Sequence, residues 1–171
     1  MKHEDVEFKI TLSAKYWDKK PMYKITVGDI EAVPPTEFDG LSDSKKVIEF
    51  TVSDEISDTG EITTKQLKVH FLNKEPTDTK KDNYDDPDNF KIIDDMLLTV
   101  EELEIDGINL PIGAIHDLNS DAVGYYLIDE PVDYNGKTGV TRIQGCNTMG
   151  WNGAYCFDYG TPVYLWILEQ Y

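Results

Sequence analysis

Residues 82–107 read DNYDDPDNFKIIDDMLLTVEELEIDG, an acidic loop that leads directly into an alternating segment and a turn. The apolar side chains of the alternating segment occupy every second position with one slip in phase: Leu98 and Val100, then Leu103 and Ile105. Period-two alternation is typical of a strand with one buried face, and the slip predicts a β-bulge. Asp106-Gly107 is a tight-turn signal at the end of the segment. This stretch therefore predicts an antiparallel β fold.

Alternation of the same kind recurs along the chain, while helical periodicity is nearly absent. The further alternating segments are 6–12, 23–27, 48–52, 67–71 and 123–127, with a shorter one at 140–143. The last run, 163–168, is apolar on both faces and predicts a central, covered strand with Trp166 in the core. Turn signals such as Asn135-Gly136 and Asn152-Gly153 separate the segments. Short strands with regularly spaced turns predict an all-β fold, a jelly-roll-like sandwich of two antiparallel sheets.

The length of the chain fits one domain. Its 171 residues are 40% hydrophobic, and they contain neither an internal repeat nor a linker-like tract. We therefore expect a single β-sandwich domain over residues 1–171. Residues 113–171, rich in aromatic side chains, should complete the sandwich built by residues 1–112 or pack on it.

The charge of the chain excludes several classes of function. The net charge is −17 and Arg142 is the only arginine, so we expect no binding to nucleic acid. We also expect no membrane insertion, because no apolar run is long enough to span a bilayer. The N-terminus lacks the apolar core of a signal peptide, which predicts synthesis in the cytoplasm without export by that route.

The acidic loop is a candidate calcium site. Clustered aspartates are costly unless they stay hydrated or share a cation, and calcium takes carboxylate and carbonyl oxygens. The candidate ligands are Asp85, Asp86, Asp88, Asp94 and Asp95. The loop lacks the glycine and the closing glutamate of an EF-hand, so that loop type is excluded. The alternative is a hydrated acidic turn between two strands.

Aromatic residues concentrate after Tyr125 and also flank two predicted turns. An exposed Trp or Tyr can stack on a sugar ring or anchor a protein interface. The candidates for contact with a glycan or a partner are Tyr16, Trp17, Tyr84, Trp151 and Tyr155. The alternative is that these rings fold back and close the ends of the sandwich.

No catalytic motif is present in the sequence. There is no GxSxG serine and no HExxH pair, and the histidines are scattered, so we expect a non-catalytic protein. His70 alternates with Val69 and Phe71, which predicts that it points away from the core. Cys146 and Cys156 are interpreted as two small, mostly buried thiols, with a disulfide as the alternative. If Asn152-Gly153 forms a two-residue hairpin turn, Met149 lies opposite Cys156.

A family resemblance is carried by residues 67–73, LKVHFLN, the acidic loop, and residues 95–107, DMLLTVEELEIDG. This pattern is similar to the closing half of calcium-dependent xylan-binding modules, carbohydrate-binding families 36 and 60. In those modules a V-x-F-x-N-D strand leads through an acidic loop to a D-R-N-L-x-V-D-x-V-x-V-N-G strand. Asp95 matches the aspartate before R-N-L, whereas Lys74 stands at the second position of N-D. The resemblance implies a β-sandwich that binds a polysaccharide with the help of Ca²⁺.

A second resemblance concerns residues 150–157, GWNGAYCF, together with residues 161–169, TPVYLWILE. They are similar to the C-terminal strands of small virion proteins from contractile-tailed phages, notably phages of cyanobacteria. This resemblance implies a non-catalytic accessory protein on the virion surface, as a capsid decoration or as a tail or fibre component. Its partners would be virion structural proteins, a cell-surface glycan, or both, and self-association is left open. The alternatives are a free-standing calcium-dependent polysaccharide-binding module and, third, a glycoside hydrolase or lyase.

Overall fold

The computed structural model describes residues 2–86, 88–112, 124–129 and 141–170. In chain order the strands are β1 (Lys2–Lys15), β2 (Met22–Val27), β3 (Ile30–Glu37), β4 (Lys45–Ile56), β5 (Thr63–Phe71), β6 (Lys80–Lys81), β7 (Ile92–Asp94), β8 (Leu97–Ile105), β9 (Ile108–Asn109), β10 (Tyr125–Ile128), β11 (Arg142–Gln144), β12 (Thr148–Met149) and β13 (Gly153–Thr161). A 3-10 turn at Pro76–Asp78 follows β5, and one helix, α1 (Val163–Gln170), follows β13.

The strands form two main sheets in which every pairing is antiparallel. The first sheet has the order β12-β8-β1-β4, with β9 paired to β8. The second sheet has the order β11-β10-β13-β5-β2-β3, and β6 and β7 form a separate small ribbon. The predicted all-β sandwich is therefore confirmed. The aromatic strand β13 lies in the middle of the second sheet, beside β5 from the N-terminal part of the chain.

The core lies between the sheets, as the alternation predicts. Both inner faces contribute alternate residues that are almost fully buried: Val6, Phe8, Ile10, Leu12, Leu98, Val100, Leu103 and Ile105 from the first sheet, and Tyr23, Ile25, Val27, Leu67, Val69, Phe71, Tyr155, Phe157 and Tyr159 from the second. His70 lies on the outer face of the second sheet, although it is half-buried there. Some predicted features lie outside the described residues. They are residue 123 of the segment 123–127, residue 140 of the segment 140–143, the Asn135-Gly136 turn and His116.

The phase slip in the opening stretch is a β-bulge. On β1, Thr11 pairs with Glu102 and Leu12 pairs with Val100, so that Glu101 has no partner in the register. The side chain of Glu101 accepts a 2.5 Å hydrogen bond from the hydroxyl of Ser13. The bulge restores the inward direction of the apolar residues on both sides of the slip, and the prediction is confirmed.

The turn after β8 is also confirmed. Asp106 and Gly107 have φ values of 50° and 78°, as a primed two-residue hairpin turn requires, and the chain pairs back onto β8 through β9. Asp106 is held to β1, because its carboxylate accepts a 2.8 Å hydrogen bond from the backbone N–H of Glu7.

The predicted strand over residues 163–168 is wrong, because this segment forms helix α1. A short apolar run does not distinguish a strand from a buried helix. The tertiary structure decides for the helix: Glu4 at the start of β1 accepts a 3.1 Å hydrogen bond from the backbone N–H of Val163, one of the amides that a helix leaves unpaired. Val163 and Trp166 are buried, so the prediction that Trp166 belongs to the core is confirmed. In the described part of the chain, no helix has the length and apolarity to cross a membrane.

Asn152-Gly153 does not form the two-residue hairpin turn that would place Met149 opposite Cys156. Residues 148–149 pair with β8 in the first sheet, whereas β13 begins at Gly153 in the second sheet, so the intervening residues cross between sheets. Cys156 therefore lies opposite Tyr125 and Lys68 and not opposite Met149. Cys146 and Cys156 are both free thiols.

Candidate functional site at the aromatic end

The two ends of the sandwich differ in chemistry. Strand β1 has 14 residues and spans roughly 45 Å, with Glu4 near its start and Trp17 just after its end. We call the surface around Glu4 and α1 the helix end. We call the surface formed by Trp17, residues 73–81, residues 92–96 and residues 150–152 the aromatic end. The acidic loop leaves the sandwich at the aromatic end, so the candidate aspartates lie on the same end as two of the candidate aromatic residues, Trp17 and Trp151.

Trp17 is held in a fixed orientation at the aromatic end. Its indole N–H donates a 2.8 Å hydrogen bond to the backbone oxygen of Asp78, yet 43% of the residue stays exposed. The ammonium of Lys80 lies 5.5 Å from the centre of the Trp17 ring. Because the hydrogen bond restrains the ring, little conformational entropy is lost when a ligand packs on its exposed part.

Asp78 connects Trp17 to a second lysine. Its carboxylate lies 2.9 Å from the ammonium of Lys19 and accepts a 2.7 Å hydrogen bond from the backbone N–H of Glu75. Glu75 also lies 3.6 Å from Lys19. Asp78 is buried, so Lys19 neutralises a carboxylate that has little contact with water. This pairing stabilises the 3-10 turn, whose Asp78 backbone oxygen accepts the hydrogen bond from Trp17.

Asp95 is paired with a buried lysine. The Lys74 side chain is only 1% exposed, and its ammonium contacts Oδ1 of Asp95 and donates a 2.6 Å hydrogen bond to the backbone oxygen of Met96. The same Oδ1 accepts hydrogen bonds from the hydroxyl of Thr79 at 2.7 Å and from the backbone N–H of Met96 at 2.8 Å. Asp95 thus connects the start of β8 to the segment that follows β5.

Trp151 reaches the same network through its neighbour. The side-chain amide of Asn152 accepts from the backbone N–H of Lys74 at 2.7 Å and donates to the backbone oxygen of Lys74 at 2.9 Å. The backbone N–H of Trp151 donates to the hydroxyl of Tyr126 at 3.1 Å, and that hydroxyl donates back to the Trp151 oxygen. Burial raises the pKa of Tyr126 to about 12, so its hydroxyl stays protonated at neutral pH. Trp151 itself is half-buried.

The other candidate aspartates lie in the acidic loop or on β7, directly after it. Asp85, Asp86 and Asp88 are exposed, and the loop is organised by its own side chains. The backbone N–H of Asp88 donates to the Asp86 carboxylate at 3.0 Å, and Tyr84, which is 69% exposed, accepts from the backbone N–H of Lys81. Asp94 is half-buried on β7 and pairs in register with Lys80.

The structure does not bring the five candidate aspartates around one point. Calcium requires about six to eight oxygen ligands. Within the described residues, no three or more His, Cys, Asp or Glu side chains are grouped so that they could hold a metal ion. Asp95, the aspartate with the most defined position, already has the Lys74 ammonium as its cation. The described donor set therefore does not fit calcium at Asp95.

Two of the predicted contact residues have structural roles. The prediction that Tyr155 contacts a ligand or partner is wrong, because Tyr155 lies on the inner face of β13 and is 0% exposed. Its hydroxyl donates a 2.9 Å hydrogen bond to the backbone oxygen of Ile112. Tyr16 is half-buried against the core, and its hydroxyl donates to the backbone oxygen of Gly40 at 2.8 Å. Of the other candidates, Trp17 and Tyr84 are exposed, and Trp151, like Tyr16, is half-buried.

Reasoning from the sequence missed the lysines of this end. Lys19, Lys74 and Lys80 were not predicted as site residues, because lysines after a strand are ordinarily solvated. The only signal was at Lys74, which stands where the resembled pattern has an acidic residue. A lysine at position 74 and an aspartate at position 95 can form an internal ion pair.

Two surface hollows lie away from the aromatic end. One, of about 490 Å³, is on the outer face of the first sheet and is lined by polar residues that include Glu7, Lys9, Glu49 and Glu104. The other, of about 300 Å³, is at the helix end beside Tyr159, Trp166 and Glu169. Neither hollow is lined by residues of the aromatic end.

Comparison with known proteins gives one structural likeness. No family model matches the chain, and no curated protein matches it. A solved structure of vCBM60, from a study of a circular permutation that links two families of calcium-dependent carbohydrate binding modules, has a TM-score of 0.45 and 12% sequence identity. The match covers 89% of this chain and 89% of that chain. At this similarity the likeness assigns neither a ligand nor a calcium site to this chain.

Proposed function

We propose that the protein is a non-catalytic binding module that recognises a polysaccharide at its aromatic end. The observation that carries the proposal is Trp17, whose ring is anchored by its hydrogen bond to Asp78 and is still 43% exposed. An indole held in this way offers an apolar platform on which a sugar ring can stack. Trp151, joined to the same surface through Asn152 and Lys74, supplies a second ring.

The polar groups around Trp17 favour a hydroxyl-rich ligand. Lys19, Lys80 and Asp94 provide donors and acceptors at the same surface, and sugar hydroxyls can act in both roles. Recognition of this kind needs no bond to be broken, and the proposal therefore includes no catalytic step and no metal.

The test is binding of the purified protein to a glycan array and to insoluble polysaccharides, with Trp17→Ala and Trp151→Ala as variants. Loss of one stacking contact should weaken binding by about tenfold, equivalent to about 1.4 kcal/mol. The matched control is Tyr164→Ala, because Tyr164 is an aromatic residue at the opposite helix end and is 70% exposed. This control should bind like the wild-type protein.

Two outcomes contradict the proposal. One is a wild-type protein that binds no glycan on the array or in the pull-down. The other is a Trp17→Ala variant that binds as tightly as the Tyr164→Ala control, which would place the glycan elsewhere on the surface.

A place on a phage particle is the second candidate. It rests on the resemblance of residues 150–157 and 161–169. One structural observation favours attachment to a larger assembly: α1 exposes Tyr164, Leu165 and Leu168. Adjacent exposed apolar side chains are typical of surfaces that other molecules cover. Cryo-imaging of purified particles with antibody labelling tests this candidate, and a protein found only free in the host cytosol would contradict it.

A further inference from the structure

Lys74 is an unusual residue for the position it occupies. It follows the end of β5, where the chain leaves the second sheet, and yet the whole residue is 3% exposed. A buried ammonium is costly unless it is paired and hydrogen-bonded. Here it contacts the Asp95 carboxylate and the backbone oxygen of Met96, both from the segment that enters the first sheet.

The Lys74 ammonium is surrounded as a bound cation would be. Its contacts are a carboxylate oxygen and a backbone carbonyl oxygen, two of the oxygen types that bind hard metal ions. The carboxylate is oriented by Thr79 and by the backbone N–H of Met96, and the Lys74 backbone is clamped from the other side by Asn152. One positive charge thus links the two sheets and the loop that joins them at this end.

We propose that the Lys74 ammonium is the resident cation of Asp95 and that it does at this point of the aromatic end the structural work that a divalent ion would otherwise do. Asp95 is then a partner of Lys74 and not a calcium ligand. The inference is independent of the glycan-binding proposal, because it concerns what holds Trp151, Asn152 and the entrance to β8 in place, whichever ligand binds.

The first experiment uses the wild-type protein and Asp95→Asn and compares their melting temperatures in excess CaCl₂ and in EDTA. The measured quantity is the calcium-induced shift of the wild-type protein minus that of Asp95→Asn. We expect no difference between the two shifts, because calcium does not engage Asp95. A larger shift in the wild-type protein would overturn the proposal.

The second experiment measures the pair directly. Lys74→Met leaves the Asp95 carboxylate without its cation, and the melting temperature should fall by roughly 10 °C. The matched control is Lys46→Met, which removes a lysine whose side chain is 31% exposed and whose partner, Asp39, has a side chain that is 68% exposed; its fall should be only a few degrees, about 3 °C. Equal falls for the two variants would overturn the proposal.

A double variant covers the case in which Lys74→Met fails to fold. Lys74→Met with Asp95→Leu removes both charges, so no unpaired charge stays buried. It should be more stable than Asp95→Asn, which leaves the Lys74 ammonium without its carboxylate. A double variant that is less stable than Asp95→Asn would show that the two residues do not act as a pair.

Discussion

Tyr159 on β13 donates a 2.8 Å hydrogen bond to Oδ2 of Asp54 on β4, and this bond joins the second sheet to the first inside the sandwich. Both residues are buried. Burial, followed by the bond to Asp54, raises the pKa of Tyr159, so the hydroxyl keeps the proton that it donates. A carboxylate in this position depends on that donor, because little water reaches it.

Tyr159→Phe should destabilise the protein by about 1–3 kcal/mol, because the buried Asp54 carboxylate loses its hydrogen-bond donor. Urea unfolding followed by circular dichroism measures the change. Tyr155→Phe is the control, since the Tyr155 hydroxyl donates to a neutral backbone oxygen, that of Ile112, and should cost about 1 kcal/mol. The expectation fails if Tyr159→Phe unfolds at the same urea concentration as the wild-type protein.

The free energy of unfolding should decrease as the pH falls from about 6.5 towards 4, because of the lowered pKa of His70. Burial, with the nearby charges of Lys24 and Lys68, lowers its pKa from 6.5 to about 4, and its Nε2 lies 3.0 Å from the hydroxyl of Thr26. Between these values the unfolded chain binds a proton that the folded protein does not, so stability is fully present above pH 6.5 and falls below it. Because the side chain is only half-buried, we expect a loss of about 1 kcal/mol.

The measurement for His70 is the difference in stability between about pH 7 and about pH 4.5 for the wild-type protein and for His70→Gln. The variant should lose less stability over this interval, since it has no proton to take up at residue 70. His3→Gln, at an exposed position in β1, is the control and should behave like the wild-type protein. Parallel losses in all three proteins would refute the role of His70.

The two thiols should differ strongly in reactivity. Cys156 is fully buried, and burial raises its pKa to about 11, so very little reactive thiolate forms at neutral pH. Cys146 is only half-buried. Titration of the native protein with a thiol reagent should show one fast group, which Cys146→Ser removes and Cys156→Ser keeps. Two groups of equal rate in the native protein would contradict this expectation.

Thr161→Val should leave stability unchanged or raise it by about 1 kcal/mol. Thr161 is fully buried at the end of β13, and its hydroxyl has no hydrogen-bond partner among the described residues. Replacing an unsatisfied buried hydroxyl by a methyl group removes a desolvation cost. Differential scanning calorimetry measures the effect, with Thr161→Ser as the control that keeps the hydroxyl; a Val variant less stable than the Ser variant would point to a partner for the hydroxyl.

Several strands, including β1, β5 and β8, followed from the sequence because each of them carries its own alternation of apolar and polar residues. A residue such as Ile10 or Val69 is buried because of its place in an alternation, and alternation is a local property of the chain. The bulge at Glu101 was predictable for the same reason, since the slip in phase is visible between Val100 and Leu103.

The candidate site was only half predictable. Trp17 and Trp151 were identified because aromatic residues beside turns are visible in the sequence, but nothing local shows that Tyr155 points into the core or that Asp95 meets Lys74 across 21 positions. Which end of the sandwich collects these residues depends on how the strands are ordered in the sheets.

Local periodicity alone determined that this protein is a β-sandwich, and for β1, β2, β4, β5 and β8 it determined where the strand runs and which of its faces is apolar. Only the tertiary structure decided that residues 163–170 form a helix on the Glu4 carboxylate, that the chain crosses between sheets before β13, and that a lysine is the cation of Asp95. The reason is physical: side-chain period is encoded in neighbouring residues, whereas a helix terminus, a crossing or a buried charge is stabilised by groups that lie far away in the chain.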